Sequence, residues 1–537
     1  MNVRKSIRLI KKPLLFVALV LSNSIVVAAQ VKTDAGLVEG TTENDSSVRA
    51  FKGIPFAAPP VGDLRWKPPA AVTPWNGVRK ATEFGARCMQ GSIFSDMIFR
   101  DKGVSEDCLY LNVWTPAKSS KEKLAVMVWI YGGGFQAGAA SEPRQDGKDL
   151  AKKGVVVVSF NYRLGVFGFL SHPDLTKESP HNASGNYGLM DQVAALQWVR
   201  KNISEFGGDP NKVTIFGESA GSFAVSGLMA SPLAQGLFQR AIGESGAFFP
   251  GVGQTLAQKS LAESDQAGAQ FAKSMGANSI AELRAKPADE VLQASLKGGG
   301  FRFSPIIDGY FFPRDAYSIY SEGKQSHVAL LAGWNADEVR AFVVLAKEKP
   351  TAQSFSNQMR MRFKDGADAA LKLYPATSDD EAKESAASFA SDTFIGYATW
   401  KWIDMHYQTG KSPVYRYSFD HAPPVAADAK INGFPATSKD IGARHAGEIE
   451  YVFGALKSLN VPLQPIDWKI SDTMMTYWSN FAKTGDPNGP GLPKWPRYDK
   501  ASGYQVMHLS EEVRAAPESH RGRYEFLDGV AAKSRQP

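Results

Sequence analysis

The sequence predicts an α/β fold built on a large, mostly parallel central sheet. Near-continuous apolar runs rich in β-branched residues, at Leu124–Ile130 and 155–160, are typical of strands buried on both faces. A helical pattern follows at 187–206, and alternation of the two patterns implies parallel strands joined by helices. The same reasoning predicts further strands at 213–216, 328–334 and 413–419.

Two regions depart from this alternation. Residues 254–300 and 350–406 are helix-rich and polar, with many Ala, Lys, Glu and Ser residues. We interpret them as helical insertions that cap the sheet around the active-site gorge.

The first 29 residues predict a secretory signal peptide, cleaved after about Ala29, that precedes one α/β domain over residues 30–537. Five basic residues come before a short apolar run, which is interrupted at 22–24 and is too short for a membrane span. Without the first 29 residues, the chain has 56 Lys and Arg and 54 Asp and Glu, so its formal net charge is +2 instead of +7. We therefore expect a secreted or periplasmic protein with no basic patch for nucleic acid and no later membrane span.

Cys88 and Cys108 are the two cysteines of the sequence. An even count in an exported chain favours a disulfide, and closing such a loop stabilises by about 3 kcal/mol on the loop-entropy model. Neither cysteine lies in a Cys-x-x-Cys or Cys/His cluster, so we expect no metal site.

Gly217-Glu218-Ser219-Ala220-Gly221 matches the G-x-S-x-G pattern. A predicted buried strand precedes it and a helix of small residues, Ala220–Ala230, follows, which is the strand–turn–helix context that the motif requires. This predicts Ser219 as a nucleophile raised clear of the sheet. The alternative is a plain strand-to-helix turn that happens to contain serine.

An oxyanion hole is predicted upstream of the nucleophile. Three consecutive glycines, 132–134, follow the strand Leu124–Ile130. We expect the amides of Gly133, Gly134 and Ala220 to bind the developing oxyanion, because preorganised donors act strongly in a dry site. The loop lacks G-x-G-x-x-G spacing and a P-loop lysine, so phosphate binding is not favoured.

The order serine, acid, histidine expected for this arrangement favours a base late in the chain. His445 lies in a predicted loop before the apolar stretch Ile449–Phe453. Asp337 and Glu338 directly follow the predicted strand 328–334, and the pattern alone leaves both open as the acid, or as caps of the next helix. We expect a packing role for His406 and surface positions for His421, His508 and His520.

Long motifs carry a resemblance to the type-B carboxylesterase/cholinesterase family over nearly the whole mature chain. They include SEDCLYLNVWTP at 105–116, WIYGGGF at 129–135, FGGDPNKVTIFGESAG at 206–221 and EIEYVFG at 448–454. The resemblance implies an α/β-hydrolase fold and a serine esterase that works through an acyl-enzyme. It implies a small-molecule ester as substrate and no cofactor or metal.

The resemblance also implies roles for particular residues. It favours Glu338 over Asp337 as the triad acid, and it implies a Cys88–Cys108 disulfide. Ser245 matches a serine that supports the acid. Glu218, beside the nucleophile, is also expected to lie close to the triad. A buried ion pair between Arg65 and Glu106 is implied as well. Two positions depart from the family pattern, where glycine is usual: Val339 and Ala446.

Two alternatives remain at this stage. Some relatives of this family are non-catalytic adhesion or binding domains, which typically lose the serine or the histidine. Within enzymes, secreted bacterial members similar to this chain cleave bulky polycarboxylic esters of mycotoxins such as fumonisins.

The loop between the cysteines has no Trp or Tyr. We therefore expect no choline site there, with Phe94 and Phe99 packed against the core and Arg100 and Lys102 repelling cations.

Overall fold

The computed structural model describes residues 30–43, 47–249, 251, 257–297 and 302–534. The proposed signal peptide, residues 1–29, lies outside the described residues. The strands are, in chain order, β1 Gln30–Lys32, β2 Leu37–Glu39, β3 Thr41–Thr42, β4 Arg49–Pro55, β5 Val78–Lys80, β6 Arg87–Cys88, β7 Val104–Ser105, β8 Tyr110–Thr115, β9 Leu124–Ile130, β10 Val156–Phe160, β11 Gly208–Glu218, β12 Arg240–Glu244, β13 Ala329–Asn335, β14 Val414–Phe419, β15 Lys430–Ile431, β16 Phe434–Pro435, β17 Gln505–Leu509 and β18 Arg514–Pro517.

The helices enclose the sheet and build the two insertions. They are α1 Lys148–Ala151, α2 Gly165–Phe169, α3 Pro173–Glu178, α4 Tyr187–Asn202, α5 Ala220–Ala230, α6 Leu261–Ser274, α7 Ile280–Arg284, α8 Ala288–Leu296, α9 Ala316–Ser321, α10 Arg340–Val344, α11 Ala352–Phe363, α12 Ala367–Leu373, α13 Asp379–Ser391, α14 Tyr397–Thr409, α15 Ser438–Ile441, α16 Ile449–Phe453, α17 Pro465–Thr484 and α18 Arg521–Ser534. No helix of the described ranges is long and apolar enough to cross a bilayer.

The central sheet has eleven strands in the order β18-β17-β14-β13-β12-β11-β9-β10-β8-β4-β3. The run from β17 to β10 is parallel, and antiparallel pairs close both sides. The parallel strands β9 and β10 and residues 213–218 of β11 are almost fully buried, as their apolar composition predicts. The predicted α/β-hydrolase fold with a large, mostly parallel sheet is therefore confirmed.

The topology brings the predicted site residues to one edge of the sheet. The carboxyl ends of β9, β11 and β13 lead into the glycine loop, the turn at Ser219 and the segment that contains Glu338. This is the edge at which open α/β sheets bind ligands. His445 reaches the same edge from the loop between α15 and α16.

Candidate active site

Ser219 occupies a strained turn between β11 and α5. Its backbone has φ 52° and ψ −123°, a left-handed conformation that costs energy for any residue except glycine. A side chain at Gly221 would overlap the carbonyl oxygen of Ile130 on the neighbouring strand β9, so the motif needs glycine there. The turn therefore presents the serine hydroxyl above the sheet.

His445 and Glu338 complete a continuous hydrogen-bonded chain with this hydroxyl. His445 Nε2 lies 2.9 Å from Ser219 Oγ, and His445 Nδ1 lies 2.6 Å from Glu338 Oε2. The backbone amide of His445 also donates to the carbonyl of Glu338 at 3.0 Å, which fixes the two loops together. Ser219 is 226 positions from His445 in the sequence and Glu338 is 107 positions from it, so only the fold brings the three residues into contact.

Glu338, and not Asp337, faces the imidazole. The second oxygen of Glu338 accepts hydrogen bonds from Ser245 Oγ at 2.6 Å and from the Asn335 amide at 2.9 Å. Asp337 instead accepts from the amide of Ala443 at 3.2 Å. The geometry thus brings Glu338, and not Asp337, to the imidazole, with Ser245 on the other side of the Glu338 carboxylate.

The glycine loop lies against the nucleophile. A Cβ on Gly132 would come within 2.8 Å of the Glu218 carbonyl oxygen and 3.0 Å of Ser219 Cβ, so a side chain there would displace the turn. Within the described part of the chain, no acceptor bonds the amides of Gly133, Gly134 or Ala220. These amides are thus free for a ligand beside Ser219.

Ala446 follows the histidine with φ 59°, the left-handed region where glycine is favoured. Its carbonyl accepts a hydrogen bond from Arg144 Nη2 at 2.5 Å, which helps to hold this backbone in place. The glycine that is usual at this position in the family therefore suits the local conformation, and alanine costs about 1 kcal/mol here.

Buried carboxylates surround the imidazole. Glu218 Oε1 lies 3.3 Å from His445 Nε2, and burial raises the pKa of Glu218 despite the attraction of the histidine. Glu448, which accepts from Asn335 Nδ2 at 2.6 Å, has its pKa raised to about 7, chiefly by burial. Sequence reasoning identified Glu218 but missed Glu448, although Glu448 lies within the EIEYVFG motif.

The charge of these groups raises the pKa of His445. Burial alone would lower that pKa, but the carboxylates of Glu218 and Glu338 outweigh burial and raise it to about 9. The imidazole therefore holds a proton more readily than a free histidine does.

A cavity of about 290 Å³ opens in front of Ser219. Its wall is mostly aromatic and aliphatic, with charged groups at a few points. Lining residues that sequence reasoning missed are Asp96, Met97, Trp129, Tyr131, Glu142, Arg144, Gln145, Phe223, Arg302, Phe394 and Ile395. Most of these positions show no motif, so no signal in the sequence marked them; Trp129 and Tyr131 were quoted only as part of WIYGGGF.

Phe394 lies in a single π-helical turn, Asp392–Gly396, between α13 and α14. Its ring packs edge-on against His445, with centroids 5.1 Å apart. The second helix-rich region thus contributes directly to the cavity, as its interpretation as a cap requires. π-helical turns are frequent at functional sites.

The disulfide loop behaves partly as expected. Cys88 and Cys108 are bonded, with Cα atoms 5.0 Å apart. Arg65 and Glu106 form the implied ion pair, with two hydrogen bonds of 2.6 and 2.5 Å, and Arg65 is only 6% exposed. These contacts anchor the base of the loop.

Other expectations about this loop were wrong. Phe94 is 42% exposed and lines the cavity instead of packing in the core. Arg100 is directed at the carbonyls of Ser141 and Glu142, and Lys102 pairs with Glu83, so neither basic residue lines the cavity. The expectation that Arg100 and Lys102 repel a cationic substrate therefore has no support in the structure.

His421 is not a surface residue, because it is buried between Glu511 and Asp467, at 2.7 and 2.8 Å. His508 is partly buried in β17 and lies 2.5 Å from Asp420. The carboxylate partners of both histidines come from distant segments, which the polar neighbours in sequence did not indicate. His520 is exposed, and His406 is buried in α14, both as expected.

Comparisons with known proteins show the family of this chain. A family model described as Carboxylesterase family matches residues 27–527. Fumonisin B1 esterase of Sphingopyxis macrogoltabida is 38% identical, over 92% of this chain and 89% of that protein. Human cocaine esterase is 35% identical, over 89% and 86% of the two chains. The solved structure of a Geobacillus stearothermophilus carboxylesterase aligns with a TM-score of 0.78 at 33% identity, covering 93% of this chain and 99% of that one.

Proposed function

We propose, for a chain that belongs to the carboxylesterase family and hydrolyses carboxylic esters, that hydrolysis proceeds through an acyl-enzyme on Ser219. The observation that carries this proposal is a pair of hydrogen bonds at His445: Nε2 accepts from Ser219 Oγ at 2.9 Å, and Nδ1 donates to Glu338 Oε2 at 2.6 Å. Nucleophile, base and orienting acid in one hydrogen-bonded chain are the requirements for serine acyl transfer.

The first half-reaction forms the acyl-enzyme. Ser219 Oγ attacks the ester carbonyl carbon while its proton moves to His445 Nε2. The amides of Gly133, Gly134 and Ala220 stabilise the negative charge that develops on the carbonyl oxygen. Collapse of this intermediate breaks the bond to the alcohol oxygen, which leaves with the proton from Nε2.

The second half-reaction releases the acid. Water gives a proton to His445 Nε2 and attacks the acyl carbon, and the resulting intermediate expels Ser219 Oγ, which takes the proton back. Glu338 remains ionised throughout: it fixes the proton on Nδ1 and stabilises the imidazolium. Ser245 and the Asn335 amide support that carboxylate from the far side.

The other parts of the proposal concern the chain as a whole. We propose residues 1–29 as an export signal and residues 30–537 as one catalytic domain of a secreted or periplasmic enzyme. The Cys88–Cys108 disulfide supports an oxidising compartment. The substrate is a small ester, and the mature balance of +2 gives no reason to expect nucleic acid as a partner.

The pH dependence tests His445 as the base. A base must be neutral to accept a proton, so activity is lost as pH falls through its pKa. Because Glu218 and Glu338 raise that pKa, we expect the acid limb of kcat/KM for ethyl butyrate to lie above the usual histidine value of about 6.5. Glu218→Gln removes a charge 3.3 Å from Nε2, so we expect the limb to move down by about one unit.

Glu384→Gln serves as the matched control, because Glu384 pairs with Arg340 away from the cavity. We expect the midpoint of the acid limb in Glu384→Gln to equal that of the native enzyme. An acid limb that stays in place in Glu218→Gln, or a profile flat down to about pH 4, would contradict this assignment.

A further inference from the structure

We propose that Arg302 gives the cavity a subsite for a carboxylate, so that the enzyme prefers esters whose acid part carries a free carboxyl group. This inference rests on the proposed hydrolysis at Ser219. Arg302 lines the same cavity as Ser219 and the glycine loop. Its Nη2 atom lies 3.8 Å from the position that a Cβ on Gly134 would occupy. An anion held there would lie close to the reacting ester.

The guanidinium of Arg302 has no carboxylate partner within 4.0 Å among the described residues. The second arginine of the cavity differs, because Arg144 pairs with Glu450 at 3.0 Å and donates to the Ala446 carbonyl. The charge of Arg144 is therefore used by the protein. Arg302 is the arginine of this wall that remains available for a ligand.

The acidic groups of the cavity weaken this attraction less than their number suggests. Arg144 attracts Glu142, and Glu218 Oε1 lies 3.3 Å from His445 Nε2, so each of these acids faces a basic group of the protein. Asp96 stands at the mouth, where its side chain is 57% exposed and lies 3.9 Å from Arg144. Solvent screens such an exposed charge.

The backbone that carries Arg302 is held in place. Phe303 is 7% exposed, and its carbonyl accepts a hydrogen bond of 2.5 Å from Gln136, which follows the glycine loop. Farther along, the buried amide of Asn186 bonds both the amide and the carbonyl of Ile306, at 3.0 and 2.9 Å. The arginine thus extends from a fixed base beside the proposed oxyanion hole.

The planar guanidinium group matches the geometry of a carboxylate, which a neutral amide or ester cannot reproduce. Its planar donors can form two parallel hydrogen bonds to the two oxygens. A neutral ester of the same shape would leave the charge of Arg302 to solvent alone. The geometry therefore points to half-esters of dicarboxylic or polycarboxylic acids as the preferred substrates.

A matched pair of substrates tests the subsite. Monoethyl glutarate and ethyl glutaramate differ only in carboxylate against carboxamide, and ethanol release reports both at about pH 8, where the acid is ionised. We expect kcat/KM to favour the anion by about tenfold, which lies between an exposed and a buried ion pair. The preference should shrink as salt is added.

Variants identify the residue responsible. Arg302→Gln should bring the ratio of the two kcat/KM values close to one, and Arg302→Lys should retain part of the preference. Arg360→Gln, on the exposed face of α11 and outside the cavity, should keep the native ratio.

Three results would overturn the inference. The first is that the native enzyme has equal kcat/KM values for the two esters. The second is that it hydrolyses neither of them although it hydrolyses ethyl butyrate. The third is that Arg302→Gln lowers kcat/KM by the same factor for both esters. The last would place Arg302 at the shared ester carbonyl. None of them affects the role of Ser219, because Ser219→Ala is measured on neutral ethyl butyrate.

Discussion

Ser219→Ala lowers kcat on ethyl butyrate by about 10⁴–10⁶ while the protein stays folded. The variant removes one hydroxyl whose hydrogen-bonding partner is His445, so no covalent intermediate can form. The remaining turnover reflects the oxyanion donors and substrate binding alone. The measurement is steady-state kinetics on purified protein, with thermal unfolding as the check on the fold.

Ser226→Ala is the matched control for this experiment. Ser226 lies on α5, the helix that follows Ser219, is buried, and donates to the Phe223 carbonyl at 2.7 Å without lining the cavity. Its loss should lower stability by about 1 kcal/mol and leave kcat within threefold. Activity of Ser219→Ala within tenfold of the native enzyme would remove Ser219 from the mechanism.

The second large effect separates two adjacent acids. Glu338→Gln should lower kcat by about 10³–10⁴, because an amide NH₂ facing Nδ1 favours the imidazole tautomer that cannot accept the serine proton. Asp337→Asn makes the same chemical change one residue earlier. Asp337 bonds the Ala443 amide and not His445, so we expect kcat to stay within tenfold.

Both variants are measured on one ester at one pH above the acid limb, so that protonation of the imidazole does not enter. Each variant is a control for the other. If a substitution disrupted the loop that both residues share, both variants would lose activity. A larger loss in Asp337→Asn than in Glu338→Gln would move the acid by one residue.

Much of the fold follows from local patterns in the sequence. The helix Ala220–Ala230 and the strand Leu124–Ile130 have the predicted bounds, because apolar periodicity and flanking glycines are local signals. The strand predicted at 213–216 extends over Gly208–Glu218. Gly208 pairs with β9 and Glu218 pairs with β12, so long-range pairing extends the strand beyond the apolar run.

The triad residues could be named, but their environment could not. Ser219 lies in a motif and His445 lies just before one, whereas Phe394 reaches the histidine from a helix-rich insertion with no motif of its own. His421 shows the opposite error, since its polar sequence neighbours suggested a surface and its carboxylate partners come from distant segments. Burial and electrostatics arise from long-range packing, which periodicity does not encode.

The most direct test of the account is the location of a covalent adduct. A fluorophosphonate ester mimics the tetrahedral stage of acyl transfer and bonds the serine that a neighbouring base activates. The account predicts one adduct per chain, found by peptide mass spectrometry on Ser219, with loss of ester hydrolysis in proportion to labelling. An active enzyme that takes up no label, or that carries it on another residue, would contradict it.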